Sequence, residues 1–296
     1  KTKFLGFVDL DERFGRAIES VDAELLVWIM CKQDCDEGLI ASVKAKYPQV
    51  AFVFHSFDDP YVMQFDEHLR SREFDYAITC CVSSIPVYEA IGVPAVCLYP
   101  PYDEDSHTNA AVDTARAADM SFIATNLYPK ERYPWSKYNR GEIARTVDPL
   151  GSLRLFGPWE RNNACGGPYG VPELEARWSG LLKYEELPGV YKASRINLNS
   201  HVRPDGYQYL NERFTNVLGC GAFLLTDDGE GIADLAGGEM PYIIYHSLDD
   251  LADKVRFYLA NDEARQKVMA TGLDFARRHF VNTVFAEKIA AFVKSH

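Results

Sequence analysis

Hydrophobic residues in this chain fall into short apolar runs that alternate with amphipathic segments of helical length. The apolar runs predict strands at residues 3–8, 25–30, 50–55, 76–80, 95–98, 121–124, 153–156, 181–182, 196–199, 222–226 and 242–245. The segments between them predict helices at residues 36–47, 62–72, 84–91, 137–146, 172–178, 184–193, 206–218 and 248–260, with two or more helices in 262–294. Such alternation is typical of parallel sheets covered by helices on both faces, so the pattern predicts an α/β fold.

A polar, loop-rich stretch at residues 100–109 interrupts this alternation. A chain of 296 residues is long for a single core, so we predict two Rossmann-like parallel-sheet domains that face a cleft. The predicted boundaries are 1–117 for the N-terminal domain, 118–282 for the C-terminal domain, and 283–296 for a final helix that packs back on the N-terminal domain. Ligands of open α/β sheets bind beyond the carboxyl ends of the strands, which predicts a binding site in the cleft.

The composition is that of a soluble globular protein, with 47% hydrophobic and 25% charged residues. No apolar run approaches the roughly 20 residues of a membrane span. Residues 1–7 predict a strand rather than a signal peptide. The seven cysteines follow neither a disulfide rhythm nor a CxxC spacing. Reduced, buried thiols in a cytoplasmic protein are therefore expected.

The negative charge is concentrated in the N-terminal half. The whole chain carries 31 basic and 43 acidic residues, for a net charge of −12. Residues 1–117 hold 10 basic and 20 acidic residues, so −10 of that total lies there. An acidic surface repels phosphate backbones and anionic membranes, which argues against a nucleic-acid substrate.

The stretch "NERFTNVLGCGAFLLTDD", residues 211–228, combines features that suit an anion site. A predicted helix ends in Gly219-Cys220-Gly221, and the following strand ends in two aspartates. Arg213 lies in the first half of the helix, where the helix dipole already favours an anion. A guanidinium there suits a diphosphate, which it grips through paired hydrogen bonds. The alternative is an ordinary surface arginine, with glycines chosen for packing.

Four pieces of the C-terminal half, in the same order, resemble the CgeB-like (spore maturation protein type) branch of group 1 glycosyltransferases. The pieces are "SFIATNLYP" (121–129), "YKASRINLN" (191–199), "ERFTNVLGCGAFLLTDD" (212–228) and "GLDFARRHF" (272–280). The resemblance covers roughly 119–285; in the N-terminal half it rests on "HSFDDPY" (55–61) and on strand–helix order. It implies the GT-B architecture and a nucleotide-sugar donor, UDP-linked, held by the C-terminal domain, with the acceptor on the N-terminal side.

One difference from the family concerns two acidic positions. The family usually has a glutamate three residues after the arginine, where it is expected to hold the donor's ribose, and this chain has Asn216. A related Glu-x7-Glu pattern maps onto Gln208 and Asn216, so both acids are replaced by amides. Amides still bond hydroxyls, but charge-assisted bonds are about twice as strong. The replacement leaves open a non-catalytic relative that binds the nucleotide sugar.

The resemblance and the strand ends together predict the donor-binding residues. Arg213 is expected to stabilise the diphosphate leaving group, and Asn199 is expected to face the cleft at a strand end. A tyrosine in the loop at 183–184 is expected to stack on the base. The full predicted set is Arg213, Asn216, Asn126, Lys130, Arg132, Tyr184, Asn199, Gly221 and Asp228.

The predicted catalytic residues lie at the end of an N-terminal strand. His55 ends an apolar run, and Asp58 and Asp59 follow it directly. A histidine or carboxylate there is suited to act as general base on an acceptor hydroxyl. The alternative is a histidine that caps the strand, followed by an ordinary Asp-Asp-Pro turn.

No metal or other cofactor is predicted. Asp9 and Asp11 match the DxD of metal-dependent glycosyltransferases, but the match is common by chance and precedes the nucleotide-binding half. GxGxxG, GxxxxGK[ST] and GxSxG motifs are absent from the sequence. The prediction is a metal-independent glycosyltransferase with an unidentified acceptor. The alternatives are a non-catalytic nucleotide-sugar-binding protein and a DNA-base glycosyltransferase of the phage type, which the acidic N-terminal half opposes.

Overall fold

The computed structural model describes residues 18, 25–30, 38–57, 59, 71–124, 137–157, 172–202, 205–235 and 238–296. The chain divides into two compact units. The first comprises Lys1–Leu98 together with Ala290–His296, and the second comprises Tyr99–Ile289. In the described residues, no helix has the length and apolar character that crossing a membrane requires.

The described secondary structure consists of short strands separated by helices. The strands are β1 Leu25–Met30, β2 Ala51–Ser56, β3 Tyr76–Thr79, β4 Ala95–Cys97, β5 Ala118–Ile123, β6 Leu153–Phe156, β7 Ser194–Leu198, β8 Leu224–Asp227 and β9 Ile244–Tyr245. The α-helices are α1 Leu39–Lys46, α2 Ile85–Ala90, α3 Glu104–His107, α4 Arg140–Val147, α5 Leu187–Ala193, α6 Glu212–Gly219, α7 Ile232–Leu235, α8 Leu248–Ala260, α9 Asp262–His279 and α10 Asn282–Ser295.

The first unit has a parallel sheet in the order β1-β2-β3-β4. Its core joins strand residues to helix residues, with Phe54 of β2 packed edge-on against Phe74 at 5.5 Å between ring centroids. The last residues of the chain belong to this unit. Phe292 of α10 contacts the Tyr76 ring at 5.6 Å.

The second unit has a five-stranded parallel sheet in the order β6-β5-β7-β8-β9. Successive residues of β8 enter different cores: Leu224 packs with α6 and α9, whereas Leu225 packs with α4 and α8. Because side chains alternate along a strand, this partition means that helices cover both faces of the sheet. The predicted α/β class with parallel sheets is confirmed.

Most predicted elements are found within a few residues of their predicted bounds, and two predictions are wrong. Residues 181–182 form no strand; Leu181 is 66% exposed and lies in a loop. The helix predicted from residue 206 begins only at Glu212. Gln208 has a left-handed backbone (φ 51°), which interrupts a helix. The Asn211 side chain then caps the helix by accepting a hydrogen bond from the Phe214 N–H. The strand predicted at 3–8 lies outside the described residues.

Candidate functional site

The sheet order of the second unit locates a binding site. β5 is the unit's first strand, and it lies between the second and third strands, β6 and β7. The connection after β5 runs through α4 on one face of the sheet, and the connection after β7 runs through α6 on the other face. The two connections leave in opposite directions and open a crevice at the carboxyl ends of β5 and β7, where open α/β sheets bind ligands.

Arg213 joins the carboxyl ends of these two strands. It lies in the first turn of α6, its Nε donates to the backbone oxygen of Ile123 at the end of β5, and its Nη1 donates to Asn199 Oδ1, just beyond β7, at 2.7 Å. Burial lowers the pKa of its guanidinium, which stays charged because an arginine titrates above pH 12. Its guanidinium carbon lies 5.7 Å from the Phe122 ring centre.

The charge of Arg213 has no acidic partner among the residues that the structure describes. Neither a carboxylate nor any acceptor within the described ranges reaches its Nη2, and the side chain is only partly buried. A guanidinium held by two neutral acceptors keeps its full charge and several N–H donors for an anion. These contacts are compatible with the diphosphate-binding role expected from the sequence, which stays a prediction.

Asn199 holds Arg213 in position. Its side chain is fully buried; Oδ1 accepts from Arg213 and from Asn211 Nδ2 (3.1 Å), and Nδ2 donates to Thr226 Oγ1 (3.1 Å). Its backbone oxygen accepts from the Tyr245 hydroxyl at 2.9 Å. These contacts join the ends of three neighbouring strands, so Asn199 fixes the geometry of the site.

A second arginine, which the sequence reasoning missed, approaches the same strand end. Arg140 begins α4, and its Nε donates to Ser200 Oγ at 3.2 Å. The helix starts with a capping box in which Asn139 Oδ1 accepts from Gly141 N–H and Glu142 accepts from Asn139 N–H. The Asn-x-x-Glu spacing after a basic loop is the sequence signal that predicts this helix start. Asn126, Lys130 and Arg132 of that loop lie outside the described residues, so their roles stay predictions.

The two aspartates that follow the predicted strand each contact a histidine. Asp227, the last residue of β8, accepts from the backbone N–H of His201 at 2.9 Å and lies 2.6 Å from its Nδ1. This pair is fully buried. Asp228 lies 2.8 Å from Nδ1 of His246 and 4.0 Å from Lys137 Nζ, and this second pair is exposed. Both histidines were absent from the predicted set, because only the strand order brings them to these carboxylates.

Tyr184 and Asn216 lie near each other beside the first turn of α6. The pKa of Tyr184 is raised, first by burial of its hydroxyl and then by the Glu212 carboxylate, whereas the Asn216 amide lowers it. The Tyr184 side chain is nevertheless 53% exposed, so its ring is accessible. Asn216 is only 2% exposed, and its Oδ1 has no hydrogen-bond partner among the described residues. A buried, unpaired amide oxygen beside an accessible ring suits a polar ligand with a stacking group.

Gly221 terminates α6. Its backbone is left-handed (φ 65°), and the Ala222 N–H donates to the Val217 oxygen at 3.1 Å, which closes the last turn. The glycine exit predicted for this helix is therefore confirmed. A glycine is required at the adjacent position 219 for a different reason. A Cβ on Gly219 would lie only 2.4 Å from the Tyr102 ring.

The predicted catalytic residues belong to the first unit. His55 is buried, and burial lowers its pKa to about 3, so the imidazole is neutral and only weakly basic at physiological pH. The carboxylate of Asp59 is fully buried and accepts hydrogen bonds from Ser56 Oγ and from the Tyr88 hydroxyl, both at 2.8 Å. Asp58 lies outside the described residues. These surroundings favour a structural turn over a general base, and the catalytic role stays a prediction.

No cluster of three or more metal-ligating side chains occurs in the described ranges. Asp9 and Asp11 lie outside those ranges, so the structure does not describe their surroundings.

Residues 140–291, slightly more than half of the chain, match the model of a family described as "Glycosyl transferase-like". The match begins at Arg140 and includes Arg213, His201 and Asp227. No curated protein sequence matches the chain.

Several solved structures share its fold at low sequence identity. HepE from Anabaena, in complex with UDP and glucose, is 12% identical with a TM-score of 0.65, and the alignment covers 100% of this chain and 84% of HepE. Sucrose-phosphate synthase from Thermosynechococcus elongatus is 11% identical with a TM-score of 0.61, covering 96% and 76%. A UDP-forming trehalose-phosphate synthase from Burkholderia xenovorans is 12% identical with a TM-score of 0.59, covering 96% and 77%. These likenesses show the fold, which is the α/β GT-B fold with two parallel-sheet units.

Proposed function

The chain belongs to the glycosyl transferase-like family, and we propose that it transfers a sugar from a UDP-linked donor to an acceptor hydroxyl without a metal ion. The order of its sequence pieces further supports the CgeB-like branch of that family. The acceptor is a small molecule, a glycan or a protein rather than a nucleic acid, because residues 1–117 carry a net charge of −10.

The observation that carries this proposal is the position of Arg213. It links the carboxyl ends of β5 and β7 at the point where the sheet's connections diverge, and it has no acidic partner among the described residues. Breaking the glycosidic bond leaves a negative charge on the diphosphate. A fixed guanidinium at that place stabilises the developing charge more than it stabilises the intact donor.

The remaining donor contacts in this proposal combine described residues with residues predicted from the sequence alone. Arg140 at the start of α4 provides a second cation, and the helix N-terminus favours the diphosphate. Lys130 and Arg132 supply a further cationic pair. The accessible Tyr184 ring stacks on the base, and the buried Asn216 amide bonds the ribose. Asn126 and Asp228 complete the predicted donor-binding set, Asn126 from the sequence alone.

Cations therefore perform the work that a metal ion performs in other glycosyltransferases. The diphosphate needs a counter-charge when the bond breaks, and two arginines together with a helix N-terminus supply it. HepE, a structural relative, binds UDP and glucose, which supports a UDP-linked donor here. Donor binding in this proposal needs no divalent ion.

A second candidate function is non-catalytic binding of the nucleotide sugar. Gln208 and Asn216 occupy positions where related enzymes carry acids, and the oxygen of the Asn216 amide is buried. An amide bonds ribose hydroxyls more weakly than a carboxylate does. Asn216→Glu tests whether this side chain contacts the ribose. If it does, the glutamate should tighten UDP binding.

The deciding experiment measures binding first and transfer second. Thermal unfolding is followed with UDP, UDP-glucose, GDP and ADP at increasing concentrations. A ligand that binds only the folded protein raises the melting temperature with concentration, so UDP and UDP-glucose should stabilise the protein more than GDP or ADP. Released UDP is then measured with UDP-glucose and a panel of glycan and small-molecule acceptors.

The outcomes separate the candidates. Stabilisation by UDP-glucose followed by UDP release supports the transferase, and stabilisation without any release with any acceptor favours the binding protein. Equal, weak effects of all four nucleotides would overturn both. Arg213→Ala serves as the matched variant and should need an at least 10-fold higher UDP concentration for the same shift in melting temperature.

A further inference from the structure

Two groups of His201, its backbone N–H and its ring Nδ1, contact the Asp227 carboxylate and fix the orientation of the imidazole. Its backbone N–H donates to both oxygens of Asp227, at 2.9 and 3.1 Å, and its Nδ1 lies 2.6 Å from Asp227 Oδ1. The Thr226 hydroxyl donates to the same carboxylate at 3.3 Å. A carboxylate that receives all of these donors acts as an acceptor, so the imidazole carries its proton on Nδ1. In that tautomer Nε2 is the acceptor.

That acceptor has no partner within the described residues. Nε2 is closed off from solvent, and no described group hydrogen-bonds it. The Tyr209 ring lies edge-on to the imidazole, at 5.4 Å between centroids. Buried polar atoms in native proteins are nearly always paired, so an unpaired one at the carboxyl end of a sheet calls for a specific partner.

The position of His201 indicates where that partner comes from. It is the third of three consecutive buried residues that follow β7. The first, Asn199, holds Arg213, and the second, Ser200, holds Arg140. The orphaned Nε2 therefore belongs to the same short segment as the two cationic contacts of the proposed donor site.

We propose that Nε2 of His201 accepts a hydrogen bond from a hydroxyl of the donor's sugar ring, with Asp227 positioning the imidazole for this contact. This inference rests on the proposed function and names the group that recognises the sugar. A diphosphate oxygen offers only lone pairs and is repelled by a lone pair on Nε2, whereas a sugar hydroxyl donates a proton. The neighbouring arginines serve the diphosphate, and His201 serves the hexose.

Access to Nε2 involves the segment at residues 205–209. Gln208 in this segment has a left-handed backbone (φ 51°), which a non-glycine residue adopts at a cost. Its N–H donates to the Glu230 oxygen at 2.7 Å. Because Nε2 is shielded and the Tyr209 ring lies beside it, this proposal requires the segment to shift when the sugar binds.

Two substitutions at this position separate the roles of the two ring nitrogens. His201→Asn keeps a donor near the place of Nδ1, so Asp227 stays paired, but it deletes Nε2. His201→Gln keeps a polar group near the place of Nε2. His279→Asn, an exposed histidine on α9, is the matched control.

The measurement is the dissociation constant for UDP and for three UDP-hexoses, carrying glucose, galactose and N-acetylglucosamine. At least one UDP-hexose should bind the wild type more tightly than UDP does. His201→Asn should leave UDP binding unchanged and weaken that UDP-hexose by about 10-fold, because one buried acceptor is lost. His201→Gln should recover part of the difference, and His279→Asn should match the wild type.

A chemical version of the same test identifies the hydroxyl. The wild type should bind one monodeoxy form of the preferred UDP-hexose about 10-fold less tightly than the parent, and His201→Asn should bind the two equally.

In the wild type, nitrogen NMR should assign the proton of His201 to Nδ1. The Nε2 resonance should move on addition of the UDP-hexose and stay in place with UDP, a readout that does not depend on any variant folding.

The results distinguish this inference from the proposed function. If the wild type binds neither UDP nor any UDP-hexose, the proposed function fails and this inference fails with it. If UDP-hexoses bind but His201→Asn keeps their full advantage over UDP, or if the Nε2 resonance responds equally to UDP, only the inference is overturned. A wild type that binds UDP as tightly as all three UDP-hexoses overturns it as well.

Discussion

Arginines lie at both the amino end and the carboxyl end of the second unit's sheet, but their hydrogen-bond partners differ. At the amino end, Arg195 of β7 donates to Asp119 of β5 at 3.0 Å and to Asp262 of α9 at 3.2 Å. Arg265 pairs with the same Asp262 and is almost fully buried. At the carboxyl end, Arg213 has two neutral acceptors and no acidic partner among the described residues.

The amino end is arranged for stability. Asp119 accepts from the Ser152 N–H and hydroxyl in addition to Arg195. Its pKa is lowered, first by the Ser152 N–H and further by Arg195, which means that the folded state favours the charged carboxylate. Each of these charges is satisfied by the protein itself, so this end has no need of a ligand.

The carboxyl end has features expected of a binding site. The Nε2 of His201 and the Oδ1 of Asn216 are buried and unpaired by any described residue, and Arg213 near them forms no ion pair with a described carboxylate. Leaving such groups unpaired costs the fold about 1–3 kcal/mol each. The arginine pairs of the amino end are complete within the protein, whereas Arg213 at the carboxyl end has no ion pair among the described residues, which is the pattern expected if this end binds an anion.

Replacement of Arg213 tests this comparison with the largest expected effect. Arg213→Ala removes charge-assisted hydrogen bonds worth about 1.5–3 kcal/mol each, so donor affinity should fall at least 10-fold. Because the contact strengthens as the diphosphate leaves, kcat should fall as well as KM rise. Isothermal titration with UDP and steady-state kinetics measure both, and Arg213→Lys should rescue only part, since an ammonium lacks the planar fork.

Arg195→Ala is the control from the opposite end of the sheet. It should lower the melting temperature and leave UDP affinity unchanged. Arg213→Ala should lower UDP affinity and leave the melting temperature unchanged. If both arginines affect stability and affinity alike, the proposed division between the two ends of the sheet is wrong.

Replacement of Asn199 sharpens the comparison with a smaller effect. Asn199→Ala leaves Arg213 without the acceptor of its Nη1 and leaves Asn211 and Thr226 without their amide partner. We expect UDP affinity to fall by about 10-fold, since one well-placed hydrogen bond to a charged group is lost. The test is UDP titration at a temperature where circular dichroism shows the variant to be folded; unchanged affinity would mean that Arg213 does not need this anchor.

Replacement of Asp119 tests the amino end and depends on pH. The folded-state pKa of Asp119 lies below the ordinary value of 3.8, so its contribution is present above pH 3.8 and disappears as the pH falls through the folded-state pKa. Asp119→Asn should therefore cost up to about 1 kcal/mol at pH 7, a small value because the pair with Arg195 is about one-third exposed. Urea unfolding at several pH values should show the difference shrinking below pH 3.8.

Removal of divalent metals has the smallest expected effect. The proposed function uses cations and a helix N-terminus for the diphosphate, so UDP binding and transfer should be the same with and without EDTA. Activity that is lost in EDTA and restored by manganese would contradict this and would direct attention to Asp9 and Asp11.

Much of the architecture could be predicted because it depends on local patterns. The strands at 25–30 and 153–156 and the helix at 248–260 have the predicted bounds. The same reasoning placed a strand at the two leucines of 181–182, where loop residues are exposed. Two apolar residues carry too little periodicity to distinguish a strand from a loop.

The site was predictable only in part. Arg213 was predicted from its place on a helix before a glycine exit; the helix and its exit are confirmed, and the role of Arg213 stays a prediction. His201 and Arg140 were missed, because each acquires its significance from a residue distant in the sequence, Asp227 and Ser200 respectively. His55 was predicted as a base from its place at a strand end, but burial lowers its pKa to about 3.

The sequence by itself determined the alternation of strands and helices, the glycine exit at Gly221 and the acidic bias of residues 1–117, because each depends on neighbouring residues or on composition alone. Only the tertiary structure decided that β5 lies beside β7. That pairing brings Arg213 to the oxygen of Ile123, 90 residues earlier in the chain, and the pairing of β7 with β8 brings His201 to Asp227, 26 residues later. Hydrogen bonds and charge pairs act over a few ångströms, so they depend on which strands pair, and strand pairing is a property of the whole folded sheet.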